Sequence, residues 1–300
     1  MKEVFNLESV SDYNKLVGVE TVHPLVSIID FSKTKSQYSS HTHLYFGIYA
    51  IYLKEYDCGE LRYGRGTYDY QEGTLVFIAP GQSVEIMRKA DQTQRKGWAL
   101  MFHPDLIRGT QLGKNINEYT FFSYAINEAL HISEKERKVV FDCFDKISAE
   151  IEDRLDKHSR KLIVNNIELF LDYCVRFYDR QFITRDTINQ GVIARFDQMV
   201  NEYLLSDQPQ ESGLPSVSYF ADKLNLSANY LGDLVKKESG FSAQDKIQLR
   251  MISLAKEMMF DPHKSISEIA YQLGFKYPQH FTRMFKKEVG VSPVEYRNLN

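Results

Sequence analysis

The chain has 300 residues, more than one domain usually holds, so its length predicts two domains. Hydrophobic residues make up 43% and charged residues 26%, with no low-complexity tract, which is a globular composition. No stretch approaches the roughly 18 apolar residues of a membrane helix, and the start lacks the apolar run of a signal peptide. We therefore expect a cytoplasmic protein without a membrane segment. Its three widely spaced cysteines agree, because an odd number without metal-ligand spacing is typical of buried thiols in a reducing compartment: Cys58, Cys143 and Cys174.

Residues 44 to 103 have the pattern of successive β-strands. The segments 44–53, 61–70, 75–78, 84–87 and 98–102 are rich in aromatic and apolar residues. Turn residues recur about every ten positions between them. This spacing predicts a small all-β barrel or sandwich.

Histidines and tyrosines are concentrated near the start of this region. His41 and His43 are two residues apart and so share one face of a strand. A tyrosine combines an apolar ring with a polar hydroxyl, which suits the wall of a ligand pocket and the wall of a barrel alike. Two alternatives therefore stay open for these side chains: they form an effector site for a small molecule, or they have ordinary structural roles. The six residues are His41, His43, Tyr45, Tyr49, Tyr52 and Tyr63.

Residues 133–205 have helical periodicity. Ser133 followed by Glu136 is a capping-box signal that starts the first helix. Two apolar stripes with spacings of three and four can pair across a two-fold axis or pack on the β-domain. A third helix, residues 192–205, opens the next domain, and residues 207–216 are expected to form a loop. The stripes are Val140, Phe144, Ile147, Ile151 and Leu155 in the first helix, and Ile163, Ile167, Phe170, Cys174 and Phe177 in the second.

The last forty residues predict two short helices joined by a tight turn. Apolar residues at 266, 269, 270 and 273 lie on one helical face, and Gly274 follows where a left-handed residue ends a helix. Pro278 suits the first turn of the next helix, which buries Phe281 and Phe285 and leaves a polar outer face. Such a pair is the pattern of a helix-turn-helix that reads DNA.

A similar unit precedes this one by 50 residues. Residues 217, 220, 221 and 224 form an apolar face, and Ser227 is the predicted N-cap of a second helix. Lys236-Lys237-Glu238-Ser239-Gly240 echoes Lys286-Lys287-Glu288-Val289-Gly290. Between the copies, residues 242–260 predict a helix about 28 Å long. Such a helix can hold the two units about one DNA turn apart, roughly 34 Å.

Charge is distributed unevenly along the chain. The net charge is −3, but residues 264–300 carry +3, residues 214–263 carry zero, and residues 1–213 carry −6. Positive charge is thus concentrated in the last helix-turn-helix, where phosphate contacts need it.

The tandem arrangement resembles the AraC/XylS family of bacterial transcription regulators over about residues 190–300. The resemblance implies an α+β multidomain protein with a cupin-like β-barrel effector domain at 1–130, a helical dimerisation segment at 131–185, and an all-α DNA-binding domain at 186–300. That last domain holds two helix-turn-helix motifs joined by a linker helix. The resemblance also favours dimerisation through the helical stripes over packing on the β-domain. The diagnostic motifs are Gly-Phe at 274–275, Phe-Thr-Arg-Met-Phe-Lys-Lys at 281–287, Gly-Val-Ser-Pro at 290–293 and Glu-Tyr-Arg at 295–297.

Carried over by motif position, the family's binding face gives two unequal readers. Gln279 can pair with adenine and Arg283 with guanine, whereas a surface salt bridge is the plain alternative for Arg283. The outward positions of the first reader include Gly232, which has no side chain, and Asp233. The Asp233 carboxylate is repelled by phosphates unless it accepts a hydrogen bond from a cytosine amino group. The second reader is therefore expected to supply most discrimination between sequences. The implied contacts are Asn229, Tyr230, Lys236 and Lys237 in the first reader, and Lys276, Pro278, Gln279, His280, Thr282, Arg283, Lys286 and Lys287 in and before the second.

We expect a transcription regulator, not an enzyme, with no cofactor, that binds double-stranded promoter DNA as a homodimer. A small-molecule effector would act through the N-terminal domain, and RNA polymerase would be a partner if the protein activates, as members of the family more often do. Two alternatives stay open: a regulator without a ligand, and a metal-dependent cupin enzyme with an appended DNA-binding domain. The enzyme needs a third metal ligand, and only Glu55 and Glu85 lie near His41 and His43, since residues 82–85 contain no histidine.

Overall fold

The structure, a computed structural model, describes residues 3–34, 41–54, 60–63, 66–68, 73–87, 97–125, 128–153, 155–184 and 186–299. The chain divides into two compact units, residues 1–184 and 185–300. Glu55 and Cys58 lie outside the described residues, as do the side chains of His41 and Tyr63.

Two five-stranded sheets form the body of the N-terminal unit. The first sheet has the strand order β1-β3-β8-β5-β6, with β1 parallel to β3, and the second has the order β10-β7-β4-β9-β2, antiparallel throughout. The strands are β1 Glu3–Leu7, β2 Val26–Asp30, β3 His41–Phe46, β4 Tyr49–Lys54, β5 Glu60–Tyr63, β6 Gly66–Tyr68, β7 Thr74–Ile78, β8 Ser83–Met87, β9 Gly97–Phe102 and β10 Leu130–His131.

Neither sheet closes on itself. In the described part of the chain each strand order runs from one edge strand to another, β1 to β6 and β10 to β2. The expected β-barrel is therefore corrected to two open sheets, which share one apolar core. Turn spacing could not separate these outcomes, because barrels and sandwiches have the same strand and turn rhythm.

Residues that alternate along the strands fill the space between the sheets. Leu44 and Phe46 of β3 point into this core from the first sheet, and Ala50 and Tyr52 of β4 point into it from the second. Helix α1, Val10–Val17, adds Tyr13, whose hydroxyl accepts a hydrogen bond of 3.0 Å from the Tyr52 hydroxyl. This hydrogen bond gives the two buried hydroxyl groups a polar partner inside an otherwise apolar core.

Two long helices, α4 Glu134–Glu152 and α5 Ser159–Thr184, follow the short helices α2 Pro104–Ile107 and α3 Gln111–Asn115. They pack against each other through Phe144 and Phe170, whose ring centroids are 5.4 Å apart. They also cover the outer face of the second sheet, where Trp98 meets Phe141 edge-on. Because every predicted stripe residue except Leu155 is buried within this single unit, the expectation that these stripes pair two copies of the chain is corrected.

Eight helices form the C-terminal unit in the described residues, and they enclose one apolar cluster. Residues 207–216 were predicted to form a loop, but they contain a short helix. Pro209 lies in the first turn of this helix, where proline is favoured. The helices are α6 Asp186–Leu205, α7 Gln208–Ser212, α8 Val217–Leu224, α9 Ala228–Ser239, α10 Ala243–Met259, α11 Ile266–Gln272, α12 Pro278–Val289 and α13 Pro293–Leu299.

An ion pair fastens the start of α4 to α5. Arg180 donates to both carboxylate oxygens of Glu136, at 3.0 and 2.8 Å, and the backbone N–H of Ser133 donates to the same carboxylate at 2.7 Å. Burial raises the pKa of Glu136, but the Ser133 N–H and the Arg180 guanidinium outweigh it, so this pKa lies below its ordinary value. A lowered carboxyl pKa stabilises the fold above the unfolded pKa, and that stability is lost as pH falls through the folded value.

Glu136→Gln is expected to lower the free energy of unfolding of the N-terminal unit at pH 7 by about 1–2 kcal/mol, because it removes the charge-assisted bonds. The variant should also lose less stability than the wild type as pH falls from about 6 to about 3. Urea unfolding followed by circular dichroism across this range measures both effects. Glu134→Gln is the control, since Glu134 is on the same helix turn and exposed. Equal pH profiles for wild type and Glu136→Gln would contradict the assignment.

Candidate nucleic-acid interface

Helices α8 and α9 form the first helix-turn-helix. The turn is made by Asn225, which has the left-handed conformation with φ of 56° and ψ of 39°. Ser227 is the N-cap of α9, as predicted, and its hydroxyl accepts a hydrogen bond of 3.1 Å from the Tyr230 N–H. Phe220 and Leu231 are fully buried and pack the two helices together.

Helices α11 and α12 form the second helix-turn-helix. Ser265 and Glu268 make a capping box at the start of α11, with the Ser265 N–H donating to the Glu268 carboxylate at 2.6 Å. Gly274 has φ of 89°, and Pro278 is the first residue of α12, both as predicted. Phe281 and Phe285 have no exposed surface. One face of α12 is therefore fixed against the core.

The opposite face of α12 is polar and accessible. Gln279, His280 and Arg283 are exposed in the first turns, and Lys286 and Lys287 are exposed in the last. Within the described residues no carboxylate lies within 4.0 Å of the Arg283 guanidinium, so the salt bridge considered for it is not made. Pro278 and Thr282 are half-buried, and the Thr282 hydroxyl donates to the Pro278 carbonyl at 3.2 Å.

An exposed aromatic residue that the sequence analysis missed lies next to this face. Tyr277 is the N-cap of α12, and its ring centroid is 5.6 Å from that of His280. The Lys276 ammonium lies 5.8 Å from the same ring. The signal that could have found Tyr277 is an aromatic residue immediately before the proline that starts a recognition helix.

The outer face of α9 is poorer in side chains. Asn229, Lys236 and Lys237 are exposed, while Gly232 and Asp233 are half-buried. Tyr230, expected to contact DNA, is only 6% exposed and belongs to the buried residues of α9. That expectation is corrected, because position 230 is one helical turn from Leu234 and so lies on the core-facing side.

Helix α10 joins the two motifs and is anchored along its length. It begins with a capping box of Ser242 and Asp245, and its 17 residues span about 25 Å. The Lys246 ammonium lies 2.8 Å from the Asp197 carboxylate of α6, and Arg250 donates to the side chain of Asn201. Two polar contacts one turn apart therefore fix α10 against α6.

The turn of the second motif is held by the segment around α7. A β-carbon at Gly274 would lie 2.8 Å from the backbone of Gly213 and 2.8 Å from the Pro209 carbonyl oxygen. The Tyr203 hydroxyl donates to the Gly213 carbonyl at 3.0 Å and so fixes the other side of this contact. Only a glycine at 274 permits both the left-handed turn and this close approach.

The histidines and tyrosines of the N-terminal unit do not converge. His43 and Tyr45 are on the side of the first sheet that faces away from the core, and the His43 Nε2 lies 3.3 Å from a Glu85 oxygen. Tyr52 is buried inside the core. Tyr49 is three residues earlier, so it is on the opposite face of the same strand, where it stacks on Phe102 at 4.8 Å. The four described side chains therefore do not line one shared pocket, and of the two alternatives the ordinary structural roles fit them better.

In the described ranges no group of three or more histidine, cysteine, aspartate or glutamate side chains is placed to hold a metal ion. Among the described side chains, the His43–Glu85 pair offers two metal ligands and no third side chain joins it. No described helix is both long and apolar enough to cross a membrane.

Two glycine substitutions separate the turn conformation from the close packing. Gly274 and Gly290 both have φ of 89°, but a β-carbon at Gly290 meets no atom within 4 Å. Gly290→Ala is expected to cost about 1–2 kcal/mol of unfolding free energy through backbone strain alone. Gly274→Ala should cost at least about 1 kcal/mol more, since the packed backbone must move. Chemical denaturation of both variants measures the difference, and equal losses would refute the role of the Gly213 contact.

Comparison with known proteins agrees with this geometry. Residues 220–299 match the family model of a helix-turn-helix domain. An uncharacterized transcriptional regulatory protein, YesN of Bacillus subtilis, is 36% identical over 126 residues, which is 40% of this chain and 32% of the relative. The transcriptional activator RhaS of Citrobacter koseri is 23% identical over 152 residues, 51% of this chain and 52% of the relative. The melibiose operon regulatory protein of Escherichia coli is 29% identical over 85 residues, 28% of each chain.

These matches span only part of each relative, from 28% to 52% of the length of the three curated proteins named above. Among solved structures, the C-terminal domain of the response regulator yesN from Fusobacterium nucleatum is 27% identical and covers 36% of this chain and 98% of that chain, with a TM-score of 0.32. The sequence matches and the paired motifs agree on one assignment: residues 220–299 are a helix-turn-helix domain of the type found in AraC/XylS-family transcription regulators.

Proposed function

We propose that the protein is a sequence-specific transcription regulator whose two helix-turn-helix motifs enter neighbouring major grooves on one side of a DNA duplex. The observation that carries this proposal is the outer face of α12. Gln279 and Arg283 are exposed, four residues apart, and held outward by the burial of Phe281 and Phe285 on the other side. Neighbouring lysines at the end of the same helix can contact phosphates.

The chemistry of these side chains suits reading of base edges. An arginine guanidinium can donate two parallel hydrogen bonds to guanine, and a glutamine amide can both donate to and accept from adenine. Arg283 is free of carboxylates within 4.0 Å in the described residues, so no ion pair must break before it binds a base. We infer that α12 supplies most of the discrimination between operator sequences.

The first motif plays the weaker part in this proposal. Gly232 has no side chain, and the Asp233 carboxylate is repelled by phosphates. Asn229, Lys236 and Lys237 remain as contacts, which suit positioning on the backbone more than base recognition. The proposed division of labour is that α9 positions the protein and α12 selects the sequence.

Selection of bound DNA from a random pool, with the purified full chain, tests the function itself. Enrichment of one motif, with binding that weakens steeply as salt rises, is the expected result. Repeating the selection with a cell extract tests whether a small ligand changes the outcome. No enrichment over random sequence at low ionic strength would refute the proposal.

Two single substitutions test the ranking of the motifs. Arg283→Ala should weaken operator binding by about 1–3 kcal/mol and relax specificity at one base pair, since one bidentate contact is lost. Asp233→Ala should leave affinity unchanged or raise it slightly, because it removes a repelled carboxylate. Fluorescence anisotropy with the selected operator and single-base variants measures both. A larger loss for Asp233→Ala than for Arg283→Ala would reverse the ranking.

We also propose that the regulator dimerises, through the outer face of α5 and not through the buried stripes. Leu162, Asn166, Leu169, Tyr173 and Arg176 recur at spacings of four and three, as in a coiled-coil seam. Leu162 and Leu169 are 43% and 41% exposed and lie on the same side of the helix, so they form a shared apolar surface. A second copy of the chain can cover both by pairing the same helix.

Leu162→Glu combined with Leu169→Glu is expected to convert a dimer into a monomer, because two charges would face each other across the seam. Val175→Glu is the matched control: Val175 is equally exposed on α5 but points to a different side of the helix. Sedimentation velocity measures the outcome. A monomeric wild type, or a dimer that survives the double substitution, would reject this interface.

The remaining parts of the proposal concern signal and output. We propose that the N-terminal unit responds to a signal and that the protein activates transcription through RNA polymerase in the cytoplasm, as the name of the RhaS relative suggests for that protein. Thermal-shift screening of the full chain against metabolites tests responsiveness, since a ligand that binds the folded state raises the midpoint. The metal-enzyme alternative finds no support in the described residues, which pair His43 with a single carboxylate.

A further inference from the structure

A small cavity lies in the C-terminal unit, and none of its lining residues belongs to α9 or α12. It has a volume of about 200 Å³ and is formed by the end of α10, the residues that follow it, and α13. Its walls combine two cations with aromatic and apolar side chains: Lys256, Met259, Phe260, Pro262, Tyr296 and Arg297.

In the described residues, neither cation of this cavity is paired with a carboxylate. The Nε and Nη2 atoms of Arg297 are buried and make no hydrogen bond. In the part of the chain that the structure describes, no carboxylate lies within 4.0 Å of Arg297 or of Lys256. The Lys256 ammonium lies 5.3 Å from the ring of Tyr296 and so borders the same space. Buried donors without acceptors cost free energy, and an anion that enters the cavity would remove that cost.

The two unpartnered nitrogens have a particular geometry. Nε–H and one Nη2–H of a guanidinium point the same way, and together they form the edge that binds the two oxygens of a carboxylate side by side. A carboxylate placed there would accept both hydrogen bonds and lie near the second cation, Lys256.

The rest of the cavity is apolar. Met259 is a buried lining residue, and Phe260 is 69% exposed, the largest exposed fraction of any phenylalanine in the described residues. Tyr296 and Pro262 complete the wall. The volume is below the roughly 300–1,000 Å³ of sites for drug-sized ligands, which limits the occupant to a compact molecule.

We propose that this cavity binds a small organic anion, a carboxylate carried on a compact aromatic or aliphatic body. The carboxylate pairs with the Nε–Nη2 edge of Arg297 and with Lys256. The apolar body lies against Met259, Phe260 and Tyr296. The site would make the C-terminal unit itself responsive to a metabolite.

Titration of the full-length protein with sodium benzoate, followed by ligand-observed NMR and calorimetry, tests the site. Saturable one-to-one binding is expected, weakened about tenfold or more by Arg297→Gln and by Lys256→Gln, and several-fold by Phe260→Ala. Arg195→Gln is the matched control, since Arg195 is an exposed arginine of the same unit outside the cavity. Lys256→Gln and Phe260→Ala keep the test decisive if Arg297→Gln does not fold, which circular dichroism detects.

Three further probes separate the alternatives. Benzyl alcohol, which has the apolar body without the charge, and inorganic phosphate, which has charge without the body, should each bind more weakly than benzoate. Equal binding of phosphate would overturn the apolar half of the proposal, and absence of saturable benzoate binding would overturn all of it. If operator DNA displaces benzoate and Lys256→Gln weakens binding to every DNA sequence alike, the two cations are phosphate contacts and the proposal is wrong.

Discussion

Burial of apolar side chains beneath the two recognition helices is the constraint on which the C-terminal unit depends. Phe281 and Phe285 are fully enclosed below α12, and Leu231 is fully enclosed below α9. Each buried side chain of this size stabilises the fold by about 1.5–3 kcal/mol. Rotation of α12 by two residues, about 200°, would expose the phenylalanines and bury Arg283, so the apolar face sets the direction of the polar one. The buried phenylalanines of α12 thus determine which polar side chains of that helix are exposed.

Most of this unit could be predicted from the sequence because its signals are local. Ser227, Gly274 and Pro278 mark helix boundaries through their own backbone preferences, and the structure has them where the sequence predicted. The periodicity of apolar residues identified the buried face of each helix. What it missed depends on contacts distant in sequence. The approach of Gly213 to Gly274 and the burial of Tyr230 are set by three-dimensional packing, which a run of residues does not encode.

The N-terminal unit was harder to predict for a related reason. Alternation along a strand shows that two faces differ, but not which face meets another element. His43, Tyr49 and Tyr52 therefore looked like one set, although they occupy different surfaces. An apolar stripe on a helix likewise predicts that this face is buried, but it does not show whether the same chain or a second copy buries it. The stripes of α4 and α5, apart from Leu155, are covered by each other and by the second sheet, whereas Leu162 and Leu169 on the outer side of α5 are exposed.

The anchoring of α10 to α6 has a consequence for how this protein can be divided. Lys246 and Arg250 hold Asp197 and Asn201, and Phe196 of α6 belongs to the same apolar cluster as Phe220 and Met251. The 80 residues recognised by the family model, 220–299, leave all of α6 behind. A fragment that begins at residue 220 would lack α6 and would expose to water the part of this cluster that α6 covers. A fragment that is to keep this core intact must therefore include α6, which lies outside the residues that the family model matches.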